Sequence, residues 1–207
     1  MKSPSLLFLH GAGTANKNRA EYLQEEIKDC GIESYSFNFS GHSGIDLEES
    51  SLEKRYKEAK RVIKELNLKK PLSLFGSSMG AYIAIKLLEE FEISNLILFC
   101  PALYSSKAFN ISFGPNFTKI LREINSWKNS DAFEIIKNFK GNLRIFIGEK
   151  DEVVPKQLIE MLDENSRNTS SKKIIIIPQA THALHQFISE NKMWKARVKD
   201  EICQLLN

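Results

Sequence analysis

Short apolar runs alternate along the chain with longer segments in which apolar positions recur every three or four residues among charges. The runs predict strands at Ser5 to Leu9, Ser34 to Phe39, Leu72 to Phe75, Asn95 to Phe99, Leu143 to Ile147 and Lys173 to Ile177. The amphipathic segments predict helices at Lys17 to Cys30, Leu52 to Leu66, Ala81 to Phe91, Pro155 to Asp163 and Asn191 to Leu206, with Gly31 and Asn67 as stop signals. Strand and helix in regular alternation give an α/β fold, a mainly parallel, doubly wound sheet of about six strands flanked by helices. Leu96 to Phe99 and Ile174 to Ile177 are apolar without interruption, which is expected of central strands buried on both faces.

One stretch breaks the rhythm. Residues 104–140 hold Gly114-Pro115, scattered polar positions and seven of the twenty aromatic residues: Tyr104, Phe109, Phe113, Phe117, Trp127, Phe133 and Phe139. A plain connector needs fewer. Two readings stand side by side: a small cap inserted over a site, or ordinary helices packing their aromatics into the domain. At 207 residues the chain has the length of a single domain, 1–207, with 104–140 as its one insertion.

Charge names no partner. Lys and Arg number 29 against 26 for Asp and Glu, a formal net of +3, too diffuse for a nucleic-acid or anionic-membrane footprint. No apolar run approaches the roughly 18 residues of a bilayer span. The run Leu6 to Leu9 is too short for the apolar part of a secretory leader. Cys30, Cys100 and Cys203 are odd in number and scattered, which argues against a disulfide framework and for a reducing compartment. A cytoplasmic protein without membrane or nucleic-acid partner is the expectation.

Chemistry enters at Leu72-Ser73-Leu74-Phe75, which runs into Gly76-Ser77-Ser78-Met79-Gly80 and then into the apolar helical pattern from Ala81. This is strand, G-x-S-x-G, helix. A strand that reverses sharply into a helix strains its central serine, and small residues two before and two after relieve the crowding. The spacing selects Ser78 over Ser77 as a nucleophile, with the Met79 N–H at the helix N-terminus as an oxyanion donor.

A serine needs a base, and the base an orienting acid. Of four histidines, His182 follows the last strand, at the sheet edge where α/β sites form. His185 lies three residues on and is the alternative base; His10 and His42 read as loop residues. The exit loop of the preceding strand, Gly148-Glu149-Lys150-Asp151-Glu152, offers Asp151 as the acid, with Glu149 and Glu152 as its competitors.

After the first strand comes His10-Gly11-Ala12-Gly13. A dinucleotide fingerprint fails at the third glycine, where Asn16 stands, and the second strand ends in Asn38 rather than an acidic ribose ligand. A phosphate loop fails for want of Gly-Lys-Ser/Thr. The loop reads instead as a source of a second oxyanion donor, the Ala12 N–H. No zinc motif or paired-cysteine spacing is present, so neither metal nor cofactor is expected.

These pieces, His10-Gly11-Ala12-Gly13, Ser40-Gly41-His42-Ser43-Gly44, Gly76 to Gly80, Gly148 to Asp151 with Val154-Pro155, and His182, together resemble the α/β-hydrolase superfamily. The resemblance implies that fold, with Ser78 as nucleophile, His182 as base, Asp151 as acid and Ala12 N–H as second oxyanion donor. The chain departs from the family in two places. The first strand starts almost at Met1, which implies a minimal N-terminus, and Asn38-Phe39-Ser40 stand where members often carry an Asp and an Arg before Gly-His-Gly. The function implied is a cofactor-independent serine hydrolase cleaving a small ester, thioester or amide through an acyl-enzyme. The other readings of the same parts are an acyltransferase and a catalytically silent binding module.

Overall fold

The computed structural model of the protein describes residues 5–44, 46–68 and 72–207. In chain order the regular elements are β1 (Ser5–Leu9), α1 (Glu21–Lys28), β2 (Glu33–Ser36), α2 (Leu52–Glu65), β3 (Leu72–Ser77), α3 (Met79–Leu87), β4 (Ile93–Phe99), α4 (Pro115–Leu121), α5 (Ala132–Lys137), β5 (Asn142–Gly148), α6 (Lys156–Asn165), β6 (Ser171–Ile177), α7 (Leu184–Glu190) and α8 (Lys192–Leu206). The six strands form one sheet, ordered β2-β1-β3-β4-β5-β6, and every neighbouring pair is parallel.

That order fixes where the helices go. The β1-to-β2 crossover steps toward one edge of the sheet and all later crossovers step toward the other, so right-handed connections put α1 on one face and α2, α3, α5 and α6 on the opposite face. The packing follows: α1 and α7 pack on α8, while α3 lies between α2 and α5, and α5 meets α6. The middle strand β4 is therefore covered on both sides, and Leu96, Ile97, Leu98 and Phe99 are fully buried.

Ile174 to Ile177 corrects the expectation made for it. β6 is the edge strand, Ile174 and Ile175 are partly buried, and Ile176 is 61% exposed. An apolar run reports hydrophobicity, whereas burial depends on what lies alongside, and β6 has a strand on one side only. The cysteines supply a second correction, because Cys30 and Cys203 form a disulfide with their Cα atoms 5.9 Å apart. Distance along the chain had suggested separation, but α1 and α8 pack together and bring the two ends of the sequence into contact. The cysteine argument for a reducing compartment falls with it.

Other boundaries shift for local reasons. Residues Lys17–Ala20 form a 3-10 turn capped by the Asn16 side chain before α1 begins. β2 ends at Ser36 because the chain turns away from the sheet, and the Phe39 N–H is donated to His10 Nε2 at 3.0 Å rather than to a strand. Within 104–140, α4 and α5 are each preceded by a short 3-10 turn. Their aromatics turn inward: Phe113, Phe117, Phe133 and Phe139 are buried, with Phe113 and Phe117 edge to face at 4.9 Å. No helix among the described residues is long and apolar enough to cross a membrane.

Candidate active site

β3 is buried from Leu72 to Gly76 and delivers Ser78 at the turn into α3. Ser78 has φ 50° and ψ −116°, a left-handed region that a residue with a Cβ occupies only under strain. The surroundings hold it there. The Ser78 N–H is donated to the Phe99 carbonyl at 2.8 Å, and its own carbonyl accepts from Ala81 and Ala102 N–H at 3.0 and 3.2 Å. The two glycines of the motif are required by close approach: a Cβ on Gly76 would lie 2.5 Å from Ala81 Cα, and one on Gly80 would collide with the Leu9 carbonyl. Strand and helix can cross at this spacing only where side chains are absent.

The loops after β5 and β6 are tied backbone to backbone. Glu149 N–H is donated to the Ile177 carbonyl at 3.0 Å and Lys150 N–H to the Ala180 carbonyl at 2.8 Å. This sets Asp151 beside His182. His182 Nδ1 lies 2.9 Å from Asp151 Oδ2, and His182 Nε2 lies 3.0 Å from Ser78 Oγ. Asp151 Oδ1 accepts from the Val153 and Val154 N–H groups at 2.9 and 3.0 Å.

The Asp151 side chain is 2% exposed and the His182 side chain 25%. Burial alone would raise the Asp151 pKa. The hydrogen bonds from His182, the Val154 N–H and the Cys100 thiol outweigh it and hold the carboxyl below its ordinary range. An ionised Asp151 accepts from Nδ1–H, which leaves Nε2 as the acceptor facing Ser78. Serine, imidazole and carboxylate thus form one hydrogen-bonded chain in the order that lets the ring take the serine proton.

The other candidates sit elsewhere. His185 is buried between Phe75 and Phe99, with ring centroids 5.8 and 5.1 Å away, and its Nδ1 meets Tyr22 Oη at 3.3 Å. Burial lowers its pKa to about 3. Glu149 accepts from the Gln179 N–H at 2.9 Å, and Glu152 is exposed. Ser77 closes β3 beside Phe99 of β4, one residue short of the turn. His42 Nδ1 bonds the Phe39 carbonyl at 2.9 Å. Ala12 is exposed on the loop after β1, and Met79 is the first residue of α3. Asn16, which broke the glycine fingerprint, accepts from the Asn18 N–H at 3.0 Å.

Two residues that the sequence reading passed over complete the surroundings. Cys100 is buried just past β4, and its thiol is donated to Asp151. Burial pushes that thiol well above its ordinary pKa, keeping it protonated and a donor. Cys100, Asp151 and His182 carry the one trio of metal-ligating atoms found among the described residues, all within 4.8 Å. Their hydrogen bonds to one another already account for the grouping. The second residue is Arg55, 1% exposed on α2, where it shares a buried stripe with Leu52, Ala59 and Ile63. A charge on an apolar stripe at spacings of three, four and four is a signal the sequence did contain.

A cavity of about 170 Å³ opens beside the site, between the 104–140 segment and the loop after β5. Its walls include Ala102, Tyr104, Ile120, Trp127, Val154 and Leu158, with Ser105 and Ser126 among them and no charged side chain.

Residues 2–132 match the family described as Serine aminopeptidase, S33. No curated protein matches the chain in sequence. Among solved structures, the monoacylglycerol lipase of Paleococcus ferrophilus is similar with a TM-score of 0.73 at 21% identity, over 100% of this chain and 96% of the lipase. The esterase EaEST of Exiguobacterium antarcticum gives 0.69 at 18% identity, over 98% and 93% of the two chains. Est1E of Butyrivibrio proteoclasticus, solved with ferulic acid bound, gives 0.71 at 17% identity, over 97% and 90%. At these identities the likeness is one of fold.

Proposed function

Because the chain belongs to the Serine aminopeptidase, S33, family of α/β-hydrolases, we propose that this hydrolase is a serine esterase or thioesterase acting on a small apolar acyl group through Ser78, His182 and Asp151. The observation that carries the reading is the unbroken hydrogen-bond chain from Ser78 Oγ through both ring nitrogens of His182 to Asp151. In the reaction, His182 Nε2 takes the Ser78 proton as Oγ attacks the acyl carbon. The tetrahedral oxyanion is held by the Ala12 and Met79 N–H groups. His182 then returns the proton to the departing alcohol or thiol, leaving an acyl-serine. Water, deprotonated by the same ring, adds to the acyl carbon, and the acid departs as Ser78 recovers its proton.

The uncharged cavity favours esters over peptides. An aminopeptidase must place a carboxylate where it can pair with the substrate ammonium, whereas the walls of this cavity are aliphatic and aromatic with hydroxyls from Tyr104, Ser105 and Ser126. Ala102 and Val154 line the cavity and also bond Ser78 and Asp151 through their N–H groups, so the cavity adjoins both ends of the hydrogen-bonded chain and is the space proposed for the acyl group.

Ser78→Ala is expected to abolish both turnover of short p-nitrophenyl and thioesters and covalent labelling by a fluorophosphonate, while the thermal transition stays in place. Labelling that survives the substitution removes Ser78 from its role.

A further inference from the structure

Arg55 is a buried cation outside any ion pair. Among the described residues it makes no salt bridge, the Glu58 carboxylate acts on it only through its field, and its Nε has no hydrogen-bond partner. Phe39 and Phe113 flank the guanidinium, with centroids 5.4 and 4.9 Å from Cζ. What it does bond includes the peptide of one proposed oxyanion donor and the side chain of the residue that bears the other. Nη1 is donated to the Gly11 carbonyl and to Met79 Sδ, both at 3.3 Å, and Nη2 to the Gly41 carbonyl at 3.2 Å.

The Gly11 carbonyl and the Ala12 N–H belong to one peptide group. In a trans peptide they point in opposite directions, so whatever fixes the oxygen fixes the hydrogen. That oxygen meets two donors. His10 Nε2 accepts from Phe39 N–H, so its proton is on Nδ1, which is donated to the Gly11 carbonyl at 2.8 Å. Arg55 supplies the second donor, and a charged one. The turn also passes beside the nucleophile, since a Cβ on Gly11 would lie 3.2 Å from Ser78 Cβ and 3.8 Å from Oγ.

From this geometry we infer that Arg55 is a positioning residue for the reaction: by holding the Gly11 carbonyl inward it aims the Ala12 N–H at the oxyanion, and its charge draws electron density through the amide so that the N–H is a stronger donor. The contact to Met79 Sδ braces the residue that bears the other donor with the same guanidinium. Packing alone does not call for a charge here. The neighbours on the stripe are apolar, and a methionine fills similar volume without taking a cation out of water. The inference rests on Ser78 being the nucleophile, so the test includes a control for that.

Ser78→Ala, Arg55→Met and Arg55→Lys are compared with the parent in turnover of a short p-nitrophenyl ester. Binding is measured for a trifluoromethyl ketone of the same acyl chain, which forms an oxyanion adduct on the serine, and for the matching ether, which forms none. Loss of a whole oxyanion donor costs about 10²- to 10³-fold in kcat. An indirect loss in Arg55→Met is therefore expected to lower kcat about 10- to 100-fold, weaken the ketone by a similar factor and leave KM and ether binding within about twofold. Arg55→Lys, which keeps a charge but not the two-armed reach, is expected to fall between. Circular dichroism and thermal melts establish that each variant is folded; if Arg55→Met is not, Arg55→Lys is judged by the same criteria. Folded variants with parental kcat and ketone affinity overturn the inference and leave Ser78 in place. So do equal losses of ketone and ether binding, or an activity loss no larger than the unfolded fraction. Turnover that persists in Ser78→Ala overturns the catalytic reading and this inference together.

Discussion

His182 and His185 are three residues apart at the same end of the sheet, and they live in opposite worlds. His182 precedes α7 on a loop, keeps a quarter of its side chain in solvent and touches only polar groups at its ring nitrogens. His185 sits in the first turn of α7, is sealed among Phe75, Phe99 and Tyr22, and stays neutral because burial opposes its charge. One imidazole bridges a hydroxyl and a carboxylate through its two nitrogens, whereas the other is kept neutral by burial. The difference lies in whether the ring stands on the loop just before a short helix or in the helix's first turn against the core, and the side chain itself contributes nothing to it.

The comparison is broken most sharply by removing each ring in turn. His182→Ala is expected to lower ester turnover on the order of 10⁴- to 10⁶-fold, since members of such a unit act together. Its unfolding free energy should stay within about 1 kcal/mol of the parent, as for a side chain with little packing. Steady-state kinetics and a urea titration read the two numbers. His185→Ala is expected to do the reverse, costing about 2–4 kcal/mol through the cavity left among the rings. Turnover per folded molecule should change little, and the same pair of measurements decides. Parental stability in His185→Ala would erase the contrast.

A subtler test uses acid. His10 and His185 have pKa values lowered to about 4 and about 3, against an ordinary 6.5. Between 6.5 and those values the unfolded chain binds protons that the folded chain refuses, so stability rises with pH in that window and is lost as pH falls through it. Over the full window His10 contributes roughly 3 kcal/mol and His185 roughly 5 kcal/mol, at about 1.4 kcal/mol per pKa unit. The Asp151 carboxyl, depressed in the folded state, takes its share of stability away only at lower pH still, below its unfolded pKa of about 4. His185→Gln is expected to flatten the slope between about pH 6.5 and 3 by as much as one proton, measured as the urea midpoint across pH, with the His10 contribution remaining.

Much of this arrangement is written in local patterns. β1 runs over Ser5–Leu9 as its apolar run predicts, and α2 and α8 begin within one residue of the predicted starts, because their caps, Ser51 and Asn191, are polar side chains that accept helix N–H groups. The glycines around Ser78 announce a turn that only small residues permit. What the patterns do not carry is neighbourhood. The isoleucines of β6 read like those of a central strand because nothing in their own sequence states that the sheet stops there. α7 is seven residues long, too short for periodicity to separate it from the loop that bears His182. Cys100 gives no local sign that its thiol will face Asp151, which arrives from a different strand. Arg55 was legible in principle, since it interrupts an apolar stripe, but the partners that give the interruption meaning come from two separate loops and the start of α3.

The bond between Cys30 and Cys203 spans 173 positions, so a denatured molecule that keeps it is nearly a closed ring rather than a free polymer. Circularising a chain of that length withholds about 5 kcal/mol of disorder from the unfolded ensemble on the chain-entropy account. The thiol poise of the surrounding medium therefore acts as a second thermometer: one polypeptide has two heat tolerances, and a reductant moves it from one to the other without touching an atom of Ser78, His182 or Asp151.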